Sequence, residues 1–282
     1  MSVSQPAIMA ESHGPAACPN CGMELLGDFC HRCGEQKHHS DELTLKHFFL
    51  HATHDLTHLD TKIFATLRYL LTRPGFLTQE FIAGRRTRYM RPFSLFLVAC
   101  AVFFLADSIR PRSGYDVHQL AALDKSGRTD EALEKLAKAK RVPKEIIIER
   151  VQETMHRAST AAQIVNALAV AVVLALLFHR HYFVEHLVLS LHFLSFTYIS
   201  SVLLLPLSFM PAGMNTGSKV VSICVTLIFM AYLFVGMRRI YGQGAVATFL
   251  KMIITYAVTQ AMIVASVCAA LVLAFVRAAK AH

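Results

Sequence analysis

The chain has 282 residues, of which 54% are hydrophobic, and its mean hydropathy is +0.44. This composition is too apolar for an ordinary soluble domain, and several runs are long enough to cross a bilayer. The formal net charge of +9 would suit a nucleic-acid binder. Much of that charge, however, lies beside apolar runs, where Lys and Arg set membrane topology. We therefore expect a membrane protein, and nucleic-acid binding is not favoured.

Residues 1–17 are rich in Ala, Ser and Pro without periodicity, which predicts a flexible tail. The next segment, residues 18–40, carries two Cys-x-x-Cys-Gly motifs. The two-residue gap lets both thiolates of one turn reach the same ion, and four thiolates complete a tetrahedral zinc shell. We therefore predict a zinc ribbon with a structural zinc, whose ligands are Cys18, Cys21, Cys30 and Cys33.

A redox Cys-x-x-Cys pair is the alternative, but it would be a single pair on a βαβ unit, and no such unit is predicted here. A core of this size cannot hold itself together, so we expect zinc to supply most of its folding energy. A closed site of this kind suits docking or recognition. Because the thiols must be reduced to bind metal, this head belongs in a reducing compartment.

Residues 41–92 predict amphipathic interfacial connector helices, because apolar residues recur at spacings of three and four from Leu43 to Leu71. Four histidines repeat on the opposite face of that helix. One interpretation is a second, weak metal site, since histidines four apart can share an ion. The other, which the geometry favours, is a solvated helix face. The four residues are His47, His51, His54 and His58.

The connector ends in a basic segment beside the first long apolar run. Lys and Arg in this position act as a positive-inside membrane anchor, and we favour that role over phosphate binding. The predicted anchor residues are Arg85, Arg86, Arg88 and Arg91.

Several short motifs follow one another along the chain. They are the two cysteine pairs, Asp60, Thr66-Leu67, Arg73-Pro74-Gly75, residues 80–86, Tyr89, Pro92, residues 185–188, residues 191–193 and residues 239–243. In this order they resemble a bacterial family of uncharacterised multi-pass membrane proteins with an N-terminal zinc-ribbon head. The resemblance covers nearly the whole chain and implies that architecture, with no established activity.

The remaining residues, 93–282, predict a transmembrane bundle with an extramembrane loop over residues 110–160. The fold class is thus an all-α polytopic membrane helix bundle of about five spans with a small N-terminal zinc ribbon. The predicted spans are residues 93–109, 161–178, 181–210, 220–237 and 249–276.

The third span carries ionisable groups where lipid would penalise them. At about 100° per residue, four polar residues fall within roughly a quarter of the helix circumference, so that face should meet other helices or a wet cavity. Such a stripe can pair with neighbours to hold helices together, handle an ion or proton, or catalyse a reaction. The residues of this polar stripe are His181, Glu185, His192 and Ser195.

Short basic loops predict that the N-terminus is cytoplasmic and that the C-terminus lies outside. The resemblance implies that the membrane is a bacterial cytoplasmic (inner) membrane. We expect a non-enzymatic integral membrane protein whose ribbon serves docking, recruitment or sensing, with the lipid bilayer and a cytosolic protein as partners. One alternative is a small transporter for protons, metal ions or a solute, which would use Glu185 and His192. An intramembrane metal-dependent enzyme ranks last, because HExxH and GxSxG motifs are absent.

Overall fold

The computed structural model describes residues 17–34, 62–108, 117, 124, 126–206 and 215–280. Within these ranges the chain is helical and contains no strand, apart from an isolated antiparallel bridge between Ala17 and Glu24 in the head. The helices are α1 Lys62–Thr72, α2 Phe76–Ile82, α3 Pro92–Ser108, α4 Arg128–Lys140, α5 Lys144–Leu177, α6 Phe183–Leu203, α7 Asn215–Tyr241 and α8 Ala245–Lys280.

Three stretches are helical, long and apolar enough to cross a membrane: Phe183–Leu203, Ile223–Tyr241 and Ala245–Ala278. They correspond to the last three of the five predicted spans. The other two predicted spans form shorter apolar helices, Pro92–Ser108 and Ala162–Leu177. The described residues therefore confirm an all-helical fold with helices apolar enough to span a membrane, whereas the count of five spans stays a prediction.

Helix α6 lies at the centre of the bundle. In its apolar 18-residue stretch 67% of the residues are buried inside the protein, whereas the corresponding shares are 22% for α7 and 17% for α8. Helix α5 runs antiparallel to α6. Near the start of α6, Ser190 Oγ donates to the Ala167 carbonyl of α5, and further along Tyr198 pairs with Gln163. The main hydrophobic core surrounds α6 and draws on α1, α2, α3, α5, α7 and α8.

Most of the described residues in the segment predicted as an extramembrane loop are helical. Its second half, from Lys144 onward, belongs to α5, which continues without a break into the apolar stretch. With 34 residues, α5 is about 51 Å long, which exceeds a hydrocarbon core of about 30 Å. Its first half packs with α4 and the end of α8 into a second hydrophobic cluster that includes Leu133, Val151 and Ala274.

The turn between α1 and α2 docks onto α7. Gly75 has a φ of 74°, and a Cβ at this position would lie 2.9 Å from Gly236 Cα. Beside this contact, Arg239 Nη1 donates to the Pro74 carbonyl at 2.8 Å. The Arg73 guanidinium lies over the Tyr69 ring, 5.3 Å from its centroid. These contacts seat α2 against the bundle.

The second half of the connector, predicted to lie along a membrane surface, therefore also packs against the helix bundle. Leu77, Thr78 and Glu80 of α2 are buried, and α2 packs against α6 as well as α7. The part of the predicted connector helix before Lys62 lies outside the described residues.

Candidate functional site

The head is built from two similar turns. The backbone N–H of Gly22 donates to the Cys18 carbonyl, and that of Gly34 donates to the Cys30 carbonyl, both at 2.8 Å. Both glycines have positive φ, 74° and 71°, a backbone conformation that costs glycine little. The glycine after each Cys-x-x-Cys pair therefore lets the chain turn tightly enough to bring both thiols to one point.

These turns bring four thiols together, with no disulfide between them. The Sγ atoms of Cys18 and Cys33 are 3.6 Å apart, those of Cys21 and Cys30 are 3.5 Å apart, and all four lie within 4.8 Å of one another. A tetrahedral ion with metal–sulfur bonds of about 2.3 Å requires sulfur–sulfur distances of about 3.8 Å. The four cysteines could therefore bind one metal ion.

The head contacts the basic segment that follows α2. Asn20 Nδ2 donates a hydrogen bond to Thr87 Oγ1 at 2.7 Å, which joins the turn of the first cysteine pair to the middle of residues 85–91. This hydrogen bond connects two parts of the chain that are 67 residues apart.

The four predicted anchor arginines have different surroundings. Arg85 forms a two-point ion pair with Glu80, with Nε 2.8 Å from Oε2, and this hydrogen bond is the main reason that the pKa of Arg85 is raised. The Arg86 guanidinium lies 4.3 Å from the centroid of the Phe81 ring. Arg91 is half-buried and Arg88 is exposed.

The polar stripe predicted on the third span divides into separate pairs. His181 lies before α6 rather than in it, because α6 begins at Phe183. Even so, His181 Nδ1 is 2.8 Å from Glu185 Oε2, since a residue two positions before a helix still faces its first turn. His181 and Glu185 therefore form a local pair near the end of the bundle.

His192 is fully surrounded by protein, and its partner comes from the connector. Its Nδ1 is 2.8 Å from Thr78 Oγ1 of α2, a contact between residues 114 positions apart. Ser195 Oγ instead donates to the Leu191 carbonyl of its own helix. Glu185 and His192 thus bond to different partners.

Two further buried hydrogen-bonded pairs were not predicted from the sequence. His186 Nδ1 is 2.7 Å from the Tyr241 hydroxyl of α7, and the Tyr241 ring stacks on Phe178 with centroids 3.8 Å apart. Tyr198, which lies off the predicted stripe, donates to Gln163. Helix periodicity could not reveal either pair, because the partners belong to helices that are adjacent only in the folded chain.

The histidines proposed as a weak second metal site, His47, His51, His54 and His58, lie outside the described residues. That hypothesis therefore stays a prediction.

Comparison with known proteins gives a family match for the second half of the connector and most of α3. Residues 60–104 are similar to a family described as protein of unknown function (DUF3667). No curated protein and no solved structure matches the chain significantly. The matched residues contain α1, α2, the basic segment and most of α3, so they include Thr78, the Glu80–Arg85 pair and the Gly75 turn.

Proposed function

We propose that this protein is a non-enzymatic membrane protein whose zinc-loaded ribbon recruits or senses a cytosolic protein partner at the membrane surface. The observation that carries the proposal is the convergence of Cys18, Cys21, Cys30 and Cys33 within 4.8 Å. Four thiolate ligands select zinc over calcium or magnesium, which prefer oxygen. They also fill its tetrahedral shell and leave no open position for a substrate.

Apolar side chains on the ribbon support a role in recruitment. Leu26 and Phe29, in the loop between the two cysteine pairs, are 84% and 63% exposed among the described residues. Large apolar side chains on a small rigid surface are the usual anchors of a protein–protein contact. Zinc would hold both at fixed positions, because so small a head has no other core.

The place of the ribbon supports a role at a membrane surface. Its hydrogen bond from Asn20 to Thr87 links it to a segment with four arginines, and Arg238 and Arg239 lie at the end of α7 that reaches the same end of the bundle. Clustered arginine favours the cytoplasmic side, where thiols stay reduced. We therefore place this end, with the N-terminus, in the cytoplasm of a bacterial cell and the bundle in its inner membrane.

Transport by a Glu185/His192 polar stripe is a weaker proposal. Glu185 bonds to His181 and His192 bonds to Thr78, which supports helix packing rather than a shared ion path. An intramembrane enzyme would need a metal held by His181, Glu185 and His192. Among the described residues, the four cysteines are the one group of three or more potential ligands close enough to share an ion.

The first test is the metal content of the full-length protein. We expect about one zinc per chain, lost in the Cys30→Ser variant and retained in the Cys268→Ser variant, whose cysteine is exposed on α8. Zinc that survives Cys30→Ser would contradict the assigned ligands.

The second test replaces Leu26 with a photo-crosslinking residue in cells, with Lys135 of α4 as the control position, since both side chains are exposed. We expect Leu26 to give a defined crosslinked protein that disappears when Cys30→Ser is added, while crosslinks from Lys135 do not change. Crosslinks from Leu26 that persist without the metal ligand would refute zinc-dependent recruitment.

A further inference from the structure

The basic segment between α2 and α3, residues 85–91, forms part of a pocket. Three of its four arginines line this pocket, namely Arg85, Arg86 and Arg91, whereas Arg88 lies outside it and is exposed. The other walls come from α2, from the segment itself, from the start of α3 and from His192 of α6. We call it the arginine pocket. A membrane anchor needs only positive charge near the head groups, so this shared pocket is an additional feature.

Neighbouring side chains hold two of these arginines in place. Arg85 forms a two-point ion pair with Glu80, and the guanidinium of Arg86 lies 4.3 Å from the centroid of the Phe81 ring. A guanidinium carries five N–H donors, and the bonds to Glu80 use two of those on Arg85. A guanidinium that is already fixed loses little conformational freedom when it binds an anion. The arginine pocket is therefore prepared for a negatively charged group.

The charge around the pocket favours the same kind of ligand. Residues 80–91 contain four arginines and a single glutamate, which leaves a net charge of +3. Helix α3 begins at Pro92, which lines the pocket, so the positive end of its helix dipole lies beside the pocket. Both fields attract an anion and repel a cation.

The size and position of the pocket narrow the choice of anion. Its volume is about 10 Å³, which admits roughly one water-sized atom, so one oxygen of an anion can enter while the rest of the ligand lies outside. The apolar helix α3 starts directly after the arginines, which places the pocket where the polar head groups of a bilayer meet the hydrocarbon. The phosphate groups of phospholipids lie at this depth. Phe81 and Met90 add apolar surface to the lining, which suits a lipid better than a free phosphate ion.

We propose that the arginine pocket binds the phosphate group of an anionic phospholipid. One phosphate oxygen enters the pocket and accepts hydrogen bonds from its arginines, while the acyl chains stay in the bilayer. The pocket is built from α2, α3 and α6, so the bound lipid joins the connector to the helix bundle at the membrane surface.

The experiment measures how much radiolabelled dioleoyl phosphatidylglycerol the immobilised full-length protein retains in detergent. The competitors are unlabelled phosphatidylglycerol, the zwitterionic dioleoyl phosphatidylcholine, dioleoylglycerol, which lacks the phosphate, and glycerol 3-phosphate, which lacks the acyl chains. We expect phosphatidylglycerol to compete at least about tenfold more strongly than the other three, as the loss of one charge-assisted hydrogen bond or of the apolar contact implies.

The competitors also separate a lipid from a soluble ligand. Equal competition by dioleoylglycerol or phosphatidylcholine, or no retention of phosphatidylglycerol, would overturn the recognition of an anionic phosphate. Equal competition by glycerol 3-phosphate would assign the pocket to a soluble phosphate and overturn the lipid as its ligand.

Variants then distinguish the pocket from a general attraction between charges. Arg91→Gln and Arg88→Gln each remove one positive charge from the same segment, but only Arg91 lines the pocket. We expect Arg91→Gln to weaken the binding of phosphatidylglycerol at least about tenfold. Arg88→Gln should weaken it less than about threefold in 0.15 M salt, which screens exposed charges. Arg86→Gln repeats the test at a second lining residue and serves if Arg91→Gln does not fold. Equal losses in a folded pocket variant and in Arg88→Gln would refute this site.

Discussion

The contact between Gly75 and Gly236 offers a sharp test of how the connector is joined to the bundle. In the Gly75→Ala variant, the added Cβ would lie 2.9 Å from Gly236 Cα and 3.1 Å from the Gly236 carbonyl oxygen. Both neighbours are backbone atoms, so neither can rotate away. The turn must shift from α7, which would also lengthen the hydrogen bond from Arg239 to the Pro74 carbonyl.

Two costs add up in this variant. A left-handed φ of 74° costs an alanine about 1–2 kcal/mol, and overpacking of a close contact costs about 1–3 kcal/mol. We therefore expect the free energy of unfolding to fall by about 2–5 kcal/mol.

Two other glycines separate these costs. Gly242 also has a left-handed φ, 61°, but no atom within 4 Å of an added Cβ, so Gly242→Ala should lose only about 1–2 kcal/mol. Gly236 is helical, and its added Cβ would meet Leu189 Cδ1 at 3.5 Å, an ordinary contact. Gly236→Ala should therefore be neutral or stabilising by up to about 1 kcal/mol.

The assay is denaturant unfolding of the three purified full-length variants in mixed micelles, followed by helical circular dichroism. The predicted order of stability is Gly236→Ala first, Gly242→Ala second and Gly75→Ala last. If Gly75→Ala lost no more than Gly242→Ala, the close approach of this turn to α7 would be refuted.

Two further predictions concern buried polar contacts. Thr78→Val should lower the free energy of unfolding by about 1–3 kcal/mol, because it leaves a buried imidazole nitrogen of His192 without its partner. The control Thr72→Val, at an exposed hydroxyl on α1, should change it by less than about 0.5 kcal/mol. Equal effects of the two variants in an unfolding assay would contradict the pairing. For the half-buried pair of Glu80 and Arg85, a double-mutant cycle with Gln at both positions should measure a coupling free energy of about 1–2 kcal/mol. The exposed pair of Glu131 and Lys135 on α4 is the control, with an expected coupling of roughly 0.5 kcal/mol. A coupling no larger than that of the control would show that burial does not strengthen the ion pair.

Local features of this chain could be predicted because neighbouring residues alone determine them. Two residues between cysteines and a glycine after the second are enough to form each turn of the head, whose backbone hydrogen bond closes over only four residues. The contact of His181 with Glu185 is likewise local, because the two residues are only four positions apart at the start of α6. Long apolar runs predict helices at membrane depth for a similar reason, because hydrocarbon satisfies no backbone polar group.

Contacts between distant elements depended on which helices became neighbours. His192 bonds to Thr78 across 114 residues, and His186 bonds to Tyr241 across 55. Periodicity shows which face of a helix avoids lipid, but it does not identify the helix that covers that face. That choice is made by side-chain shape, as at Gly75, where any side chain would collide with the backbone of α7. A cavity beside Phe103, Tyr198 and Tyr256 has the same origin, since its walls come from five helices and no single segment encodes its shape.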